Sequence, residues 1–228
     1  MSEFSRYFFF NAQCLTILLA FIFSIPLLIR CYPKHMKAFF IYTSVSLIIM
    51  IPLFLTLNHI VIFPHANLMN RYSLVFNFGF LGGYLLLMMP DKKGIIILEI
   101  FILFILIALI YQVFNSDIFI DKYAFATNHF GLIILSIIYL YKLFNNPPTK
   151  NLINYPTFWI VAGVLLCSII CFPIFSLWSY LVSPRNFNIR NDIVNDFILC
   201  NLPPFGYIIM FSFFIKSFIC SIQEKKTS

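Results

Sequence analysis

The chain has 228 residues and a formal net charge of +7; 61% of it is apolar and only 10% charged, for a mean hydropathy of +0.94. A soluble domain carries about 25% charged residues, so this chain has too little charge to cover its own surface in water. Lipid is the expected solvent, and helical spans of roughly 20 residues each use up most of the length, which leaves no room for a soluble enzymatic or DNA-binding domain.

The basic excess is scattered over short loops rather than gathered in a patch. It reads as the cytoplasmic bias of membrane proteins, and no nucleic-acid partner is expected. The six cysteines, Cys14, Cys31, Cys167, Cys171, Cys200 and Cys220, form no CxxC and sit in or at the edge of apolar runs. They read as small packing residues, with no disulfide framework, metal site or cofactor indicated.

Taken in order, the chain predicts an all-α bundle of seven transmembrane helices forming a single domain. The first apolar run, about 8–29, is followed by the basic cluster Arg30, Lys34, His35 and Lys37. A cleaved signal peptide would carry its positive charge before the run, so a retained helix with its N-terminus outside is expected. The second run, 38–57, contains Pro52, and the loop after it holds His59 and His65 but no lysine or arginine. The third, 68–89, opens on Asn70-Arg71-Tyr72 and ends at Pro90-Asp91-Lys92-Lys93-Gly94. The fourth spans 95–113 and the fifth 123–141, the latter stopped by Lys142 and by Asn145-Asn146-Pro147-Pro148. The sixth, 155–182, has Pro156 near its start and Pro173 inside; the seventh, 193–219, contains Pro203-Pro204. No output domain follows it, so any signal would pass to a separate protein.

Alternating the loops places ten lysines and arginines on one side and five on the other. The richer side is expected to be cytoplasmic, which gives an N-outside, C-inside topology. A faint internal repeat relates Asn70-Arg71-Tyr72 and Asn77-Phe78-Gly79-Phe80 to Asn195-Asp196-Phe197, Asn201 and Pro204-Phe205-Gly206-Tyr207. Runs one to three and five to seven would then be parallel copies around a lone fourth.

An ionisable side chain inside a span is costly and is read first as functional or paired. Arg71 is the only arginine within an apolar run. At similar depth from the outer surface stand Asn11 and Gln13, Asn70 and Asn77, Asn128 and His129, and Asn195, Asp196 and Asn201. Lipid offers these groups no partners, so they can line one outward-facing pocket for a small ligand of unknown identity. Arg71 would hold an anion or pair with Asp196, and His129 would be the proton-sensitive member. The plainer alternative is hydrogen bonding between helices, with Arg71 reaching the headgroups. Glu99, about one turn into the fourth run, reads as snorkelling inward, pairing with a lysine, or belonging to a proton path. Pro173 and Pro203-Pro204 are expected hinges. Gly79, Gly82 and Gly83 would permit close helix packing.

No HExxH, GxSxG, paired intramembrane aspartate or Cys–His arrangement is visible in the sequence. A retinal protein is excluded because Lys216 lies near the end of the last run and the third run has no acidic counter-ion. The segment Pro156-Thr157-Phe158-Trp159-Ile160-Val161-Ala162-Gly163, running on to Phe172-Pro173-Ile174-Phe175, together with Asn70, resembles small seven-helix bacterial membrane proteins. That resemblance implies a membrane input module or companion of a sensor histidine kinase, placed in the bacterial inner membrane beside a signalling partner. The expected function is therefore a non-enzymatic sensor or accessory subunit. A small transporter of three-plus-one-plus-three layout is the alternative, although the fifth run lacks the proline that such a repeat expects. A lipid-acting enzyme, with only Glu99 and His129 to offer, ranks last.

Overall fold

The computed structural model describes residues 2–29, 34–58, 60, 66–89, 95–115, 121–147, 152–177 and 189–227. Among them all regular structure is helical. The α-helices are α1 (Ser2–Ile29), α2 (Lys34–Leu57), α3 (Ala66–Leu87), α4 (Ile95–Asn115), α5 (Asp121–Asn145), α6 (Pro156–Ser176) and α7 (Ile189–Thr227), with a 3-10 turn at Leu152–Asn154 before α6. Five of them carry apolar stretches of 21 to 23 residues, long enough to cross a bilayer: Phe8–Leu28, Met36–Thr56, Ala124–Asn145, Pro156–Ser176 and Asn201–Gln223. In α3 and α4 the apolar stretches are shorter, Tyr72–Leu87 and Ile95–Tyr111. The chain is a multi-pass membrane protein whose exposed apolar side chains require a bilayer.

Most helices run past the apolar windows read from the sequence, because a helix satisfies its own backbone on either side of the lipid boundary. The Pro203-Pro204 pair does not end α7, which is helical through it. In contrast, α6 stops at Ser176, six residues before the expected end, with Leu177 N–H bonded to Pro173 O at 3.0 Å.

Neighbouring helices define a ring. The order around it is α1, α2, α3, α5, α6, α7 and back to α1, while α4 packs outside against α3 and α5. Within each triplet the packing is antiparallel: Ser24 Oγ lies 3.1 Å from Thr43 Oγ1 across α1 and α2, and Cys171 approaches Pro203 O across α6 and α7. The two seams between triplets are parallel, since Phe9 meets Phe205 across α1 and α7, and Gly131 meets Phe78 across α5 and α3. Exchanging each helix for the one four places along maps this neighbour pattern onto itself.

Two glycines set the closest approaches. A Cβ on Gly163 would lie 2.8 Å from Phe213 Cβ and 3.1 Å from Met210 O, and one on Gly131 would lie 2.5 Å from Phe78 Cε2. Gly79 and Gly82 make only ordinary contacts, and Gly83 faces open space. The tight seams are therefore on α5 and α6 rather than at the glycines of α3.

Far from the N-terminal end of the bundle, the ring is filled by rings of another kind. Phe39 is fully buried against Tyr84, Phe214, Phe80 and Phe218, at centroid distances of 4.6, 5.1, 5.5 and 6.3 Å. Such edge-to-face contacts add to the area they bury. The start of α6 is pinned nearby. Tyr155 is extended, Pro156 supplies the preset φ of a first helical residue, and Trp159 Nε1 donates to Ile153 O at 2.6 Å. Lys216 Nζ caps the Trp159 ring face at 5.8 Å.

Candidate functional site

Between the six ring helices, at the end of the bundle that holds the start of α1, lies a cavity of about 390 Å³. That size suits a small ligand. Each ring helix contributes to it, through the first halves of α1, α3 and α5, the middle of α7, residues 42–53 of α2 and Phe175 at the end of α6. The peripheral helix α4 contributes nothing among the described residues.

The polar wall comes from α1, α2 and α3: Gln13, Tyr42, Ser46, Ser73 and Asn77. Tyr42 Oη donates to Asn77 Oδ1 at 2.7 Å, and Ser46 lies beside the same phenol. This bond occupies the carbonyl of Asn77, and its amide nitrogen has no partner among the described residues. The carboxamide of Gln13, 8% exposed, is likewise without a described partner and lines the cavity. Two nearly buried primary amides thus face the space with hydrogen-bonding capacity to spare, which is costly unless something polar answers it.

The opposite wall is aromatic: Phe125 from α5, Phe175 from α6, and Tyr207 and Phe211 from α7, with Pro203 and Pro204 beside them. Behind that wall sits a second polar group. His129 stacks on Phe175 (centroids 5.9 Å apart, planes 1° from parallel) and meets Tyr207 edge-on at 6.2 Å. Its Nδ1 is 3.3 Å from Ser168 Oγ, while Nε2 is buried without a partner among the described residues. Cys171 lies beside both His129 and Cys167. The separation of 42 positions from His129 to Cys171 hides this thiol–imidazole pair in the sequence; only the antiparallel packing of α5 on α6 brings it together. Among the described residues no group of three or more His, Cys, Asp and Glu side chains is placed to hold a metal.

Comparison with protein-family models finds no match, and neither curated proteins nor solved structures give one. The site therefore rests on its own geometry.

Of the residues singled out in the sequence, Asn77, Pro203 and Pro204 line the cavity, together with Gln13. His129 is one layer behind. Asn11 does not face the cavity but accepts from Asn58 Nδ2 at 3.3 Å, joining α1 to α2. Asn201 is buried on α7, two residues before the proline pair. Pro173 is exposed on the outer surface of α6. The side chains of Arg71 and Asp196 lie outside the described residues, although both positions are helical. Glu99 stands exposed on α4, remote from the cavity wall. Tyr42 and Ser46 went unremarked in the sequence because tyrosine and serine inside an apolar run give no periodic signal.

Proposed function

We propose that this protein is a non-enzymatic membrane sensor or accessory subunit that takes a small ligand into the cavity and relays its presence to a separate signalling protein. In this reading all seven helices span the bacterial inner membrane, with the N-terminus outside and the C-terminus in the cytoplasm. The cavity then opens outward. The observation that carries the reading is a cavity with polar amides at its wall and the Phe39–Tyr84–Phe214–Phe218 aromatic cluster packed in the ring beyond it, which we read as closing its far end. A site that ends blindly suits detection better than passage. The motif that resembles companions of sensor kinases agrees with it: within that motif Trp159 and Gly163 pack α6 on Phe213 of α7. Pro203 and Pro204 sit where a bound ligand would touch α7, so ligand contact and helix bending are coupled at one place.

A small transporter is the second reading, favoured by the two-fold neighbour pattern of the ring around the lone α4. Crosslinking the tagged protein in its native membrane separates the two. The sensor reading expects a signalling protein to be recovered with the wild type, with recovery changed several-fold by Ser46→Trp, which fills the cavity, and by Arg71→Ala. Recovery of the chain alone, with solute uptake into vesicles that Ser46→Trp abolishes, would replace it with the transporter.

A further inference from the structure

Resting on that reading of the cavity as a ligand site, the chemistry of its walls narrows the ligand. Three features bear on it. First, among the described residues no charged side chain lines the cavity, so none of these residues would supply a counter-ion to offset the desolvation cost of a charged ligand. Second, the polar wall is biased toward donation. Tyr42 gives its proton to Asn77 Oδ1, which leaves the Asn77 N–H donors without a partner among the described residues, and Gln13 adds a second amide with N–H donors to offer. A ligand oxygen that accepts hydrogen bonds answers this wall; a ligand made only of donors leaves it half satisfied. Third, the facing wall offers ring faces and edges. Phe125 and Phe175 are stacked at 4.6 Å, 22° from parallel, and Tyr207 and Phe211 continue the surface on α7. Flat apolar rings pack on such surfaces in offset or edge-on geometry.

We propose that the ligand is a neutral, planar, carbonyl-bearing, lipid-soluble ring, the chemistry of a membrane quinone head. One carbonyl accepts from Asn77 Nδ2, and the ring lies against the aromatic wall formed by α5, α6 and α7. The proposal is one of binding; no electron transfer is assigned.

The test uses the full chain in lipid nanodiscs, with protein-free discs subtracted for partitioning. The probes are 2-methyl-1,4-naphthoquinone, 1-naphthoic acid and naphthalene, titrated calorimetrically against wild type, Asn77→Leu, Asn77→Asp and Ser46→Trp. The expected result is saturable quinone binding that weakens at least tenfold in both Asn77 variants and disappears in Ser46→Trp, with naphthalene and the acid binding at least tenfold more weakly. Asn77→Asp keeps an acceptor for Tyr42 while removing the donor, so it decides the matter even where Asn77→Leu does not fold. Tighter binding of the acid, lost in Arg71→Ala, would overturn the quinone inference while keeping the cavity as a ligand site. Equal binding of naphthalene and quinone, indifferent to Asn77, would do the same. Binding of the probes that Ser46→Trp leaves unchanged would sink both the inference and the cavity reading. No saturable binding of any probe overturns the inference alone, and the crosslinking result then decides the cavity reading.

Discussion

At the scale of single residues, the cavity wall depends on one bond that ties α2 to α3. Tyr42→Phe removes the proton donated to Asn77 Oδ1 and leaves that oxygen to whatever the cavity contains. A loss of about 1 kcal/mol is expected, read as a lowered unfolding midpoint in detergent, and quinone binding should change because Asn77 is then free to turn. A second residue-scale outcome concerns Gly163. A larger side chain there meets Phe213 Cβ and Met210 O, neither of which can move without moving α7. Gly163→Val is expected to destabilise by about 1–3 kcal/mol, as overpacking does, whereas Gly83→Val, at a position facing open space, should be near neutral. Thermal unfolding of the two variants side by side checks this. The contrast was not legible in the sequence, where the glycines of α3 look equally suited to close packing. A glycine reveals that a helix can come close but not from which direction, and only the partner on the facing helix decides.

At the scale of elements, α4 and α7 do opposite things. α4 is outside the ring and turns Ile97, Phe104, Ile107 and Phe114 outward at 58% exposure or more. With α4 spanning the bilayer, as proposed, a charge there has only lipid to meet. Phe104→Lys, near the middle of the helix, is expected to cost about 3 kcal/mol of membrane insertion, measured as the inserted fraction with glycosylation reporters at either end. Insertion unaffected by the lysine would place α4 out of the bilayer. The helix α7, by comparison, is 39 residues long, about 58 Å at 1.5 Å per residue, nearly twice the hydrocarbon thickness of about 30 Å. It joins the cavity wall at Pro203, Pro204 and Tyr207 to a polar end carrying Gln223 and, beyond it, Lys225 and Lys226. Replacing both prolines with alanine restores the two missing N–H donors. It should stiffen α7 and reduce any ligand-dependent change in hydrogen exchange around Cys200, whose carbonyl faces the missing N–H of Pro204, without abolishing ligand binding. The sequence made the helices legible because long apolar runs bounded by Pro, Asn and Lys have no other reading. Their ends were less so: a helix extends into water as far as its caps allow, and hydropathy cannot see caps.

At the scale of the whole molecule, the buried amides Gln13, Asn77, Asn128 and Asn201 stand toward the cavity end of the ring, whereas buried hydroxyls such as Ser24, Thr157 and Ser217 are spread along it. Six helices cannot close around a common axis without leaving space wherever side chains fail to meet. Large aromatics fill that space at one end, and at the other Gln13, Ser46 and Asn77 leave it open. Counting depth along each run was enough to place Gln13 and Asn77 at one level, because alternating direction fixes depth. It could not tell which side of a helix faces inward, so Asn11, one residue after Phe10 and two before Gln13 but turned to another side of α1, was grouped with the pocket although it bonds to Asn58 instead. Nor could it find the His129–Cys171 neighbourhood, which depends on the rotation of α5 against α6. The central claim is a cavity open at one end and closed toward the other, and cysteine accessibility measures it directly. In a background with the six native cysteines replaced by alanine, Ser46→Cys, Ser73→Cys and Ser217→Cys are exposed to a membrane-impermeant maleimide in right-side-out and inside-out vesicles. Ser46 and Ser73 line the cavity, and Ser217 is fully buried further along α7. Ser46→Cys and Ser73→Cys are expected to react from the outer side alone, with Ser217→Cys reacting from neither. Reaction of Ser46→Cys from both sides, together with Ser217→Cys from the cytoplasmic side, would show a path through the ring and contradict a cavity closed at its far end.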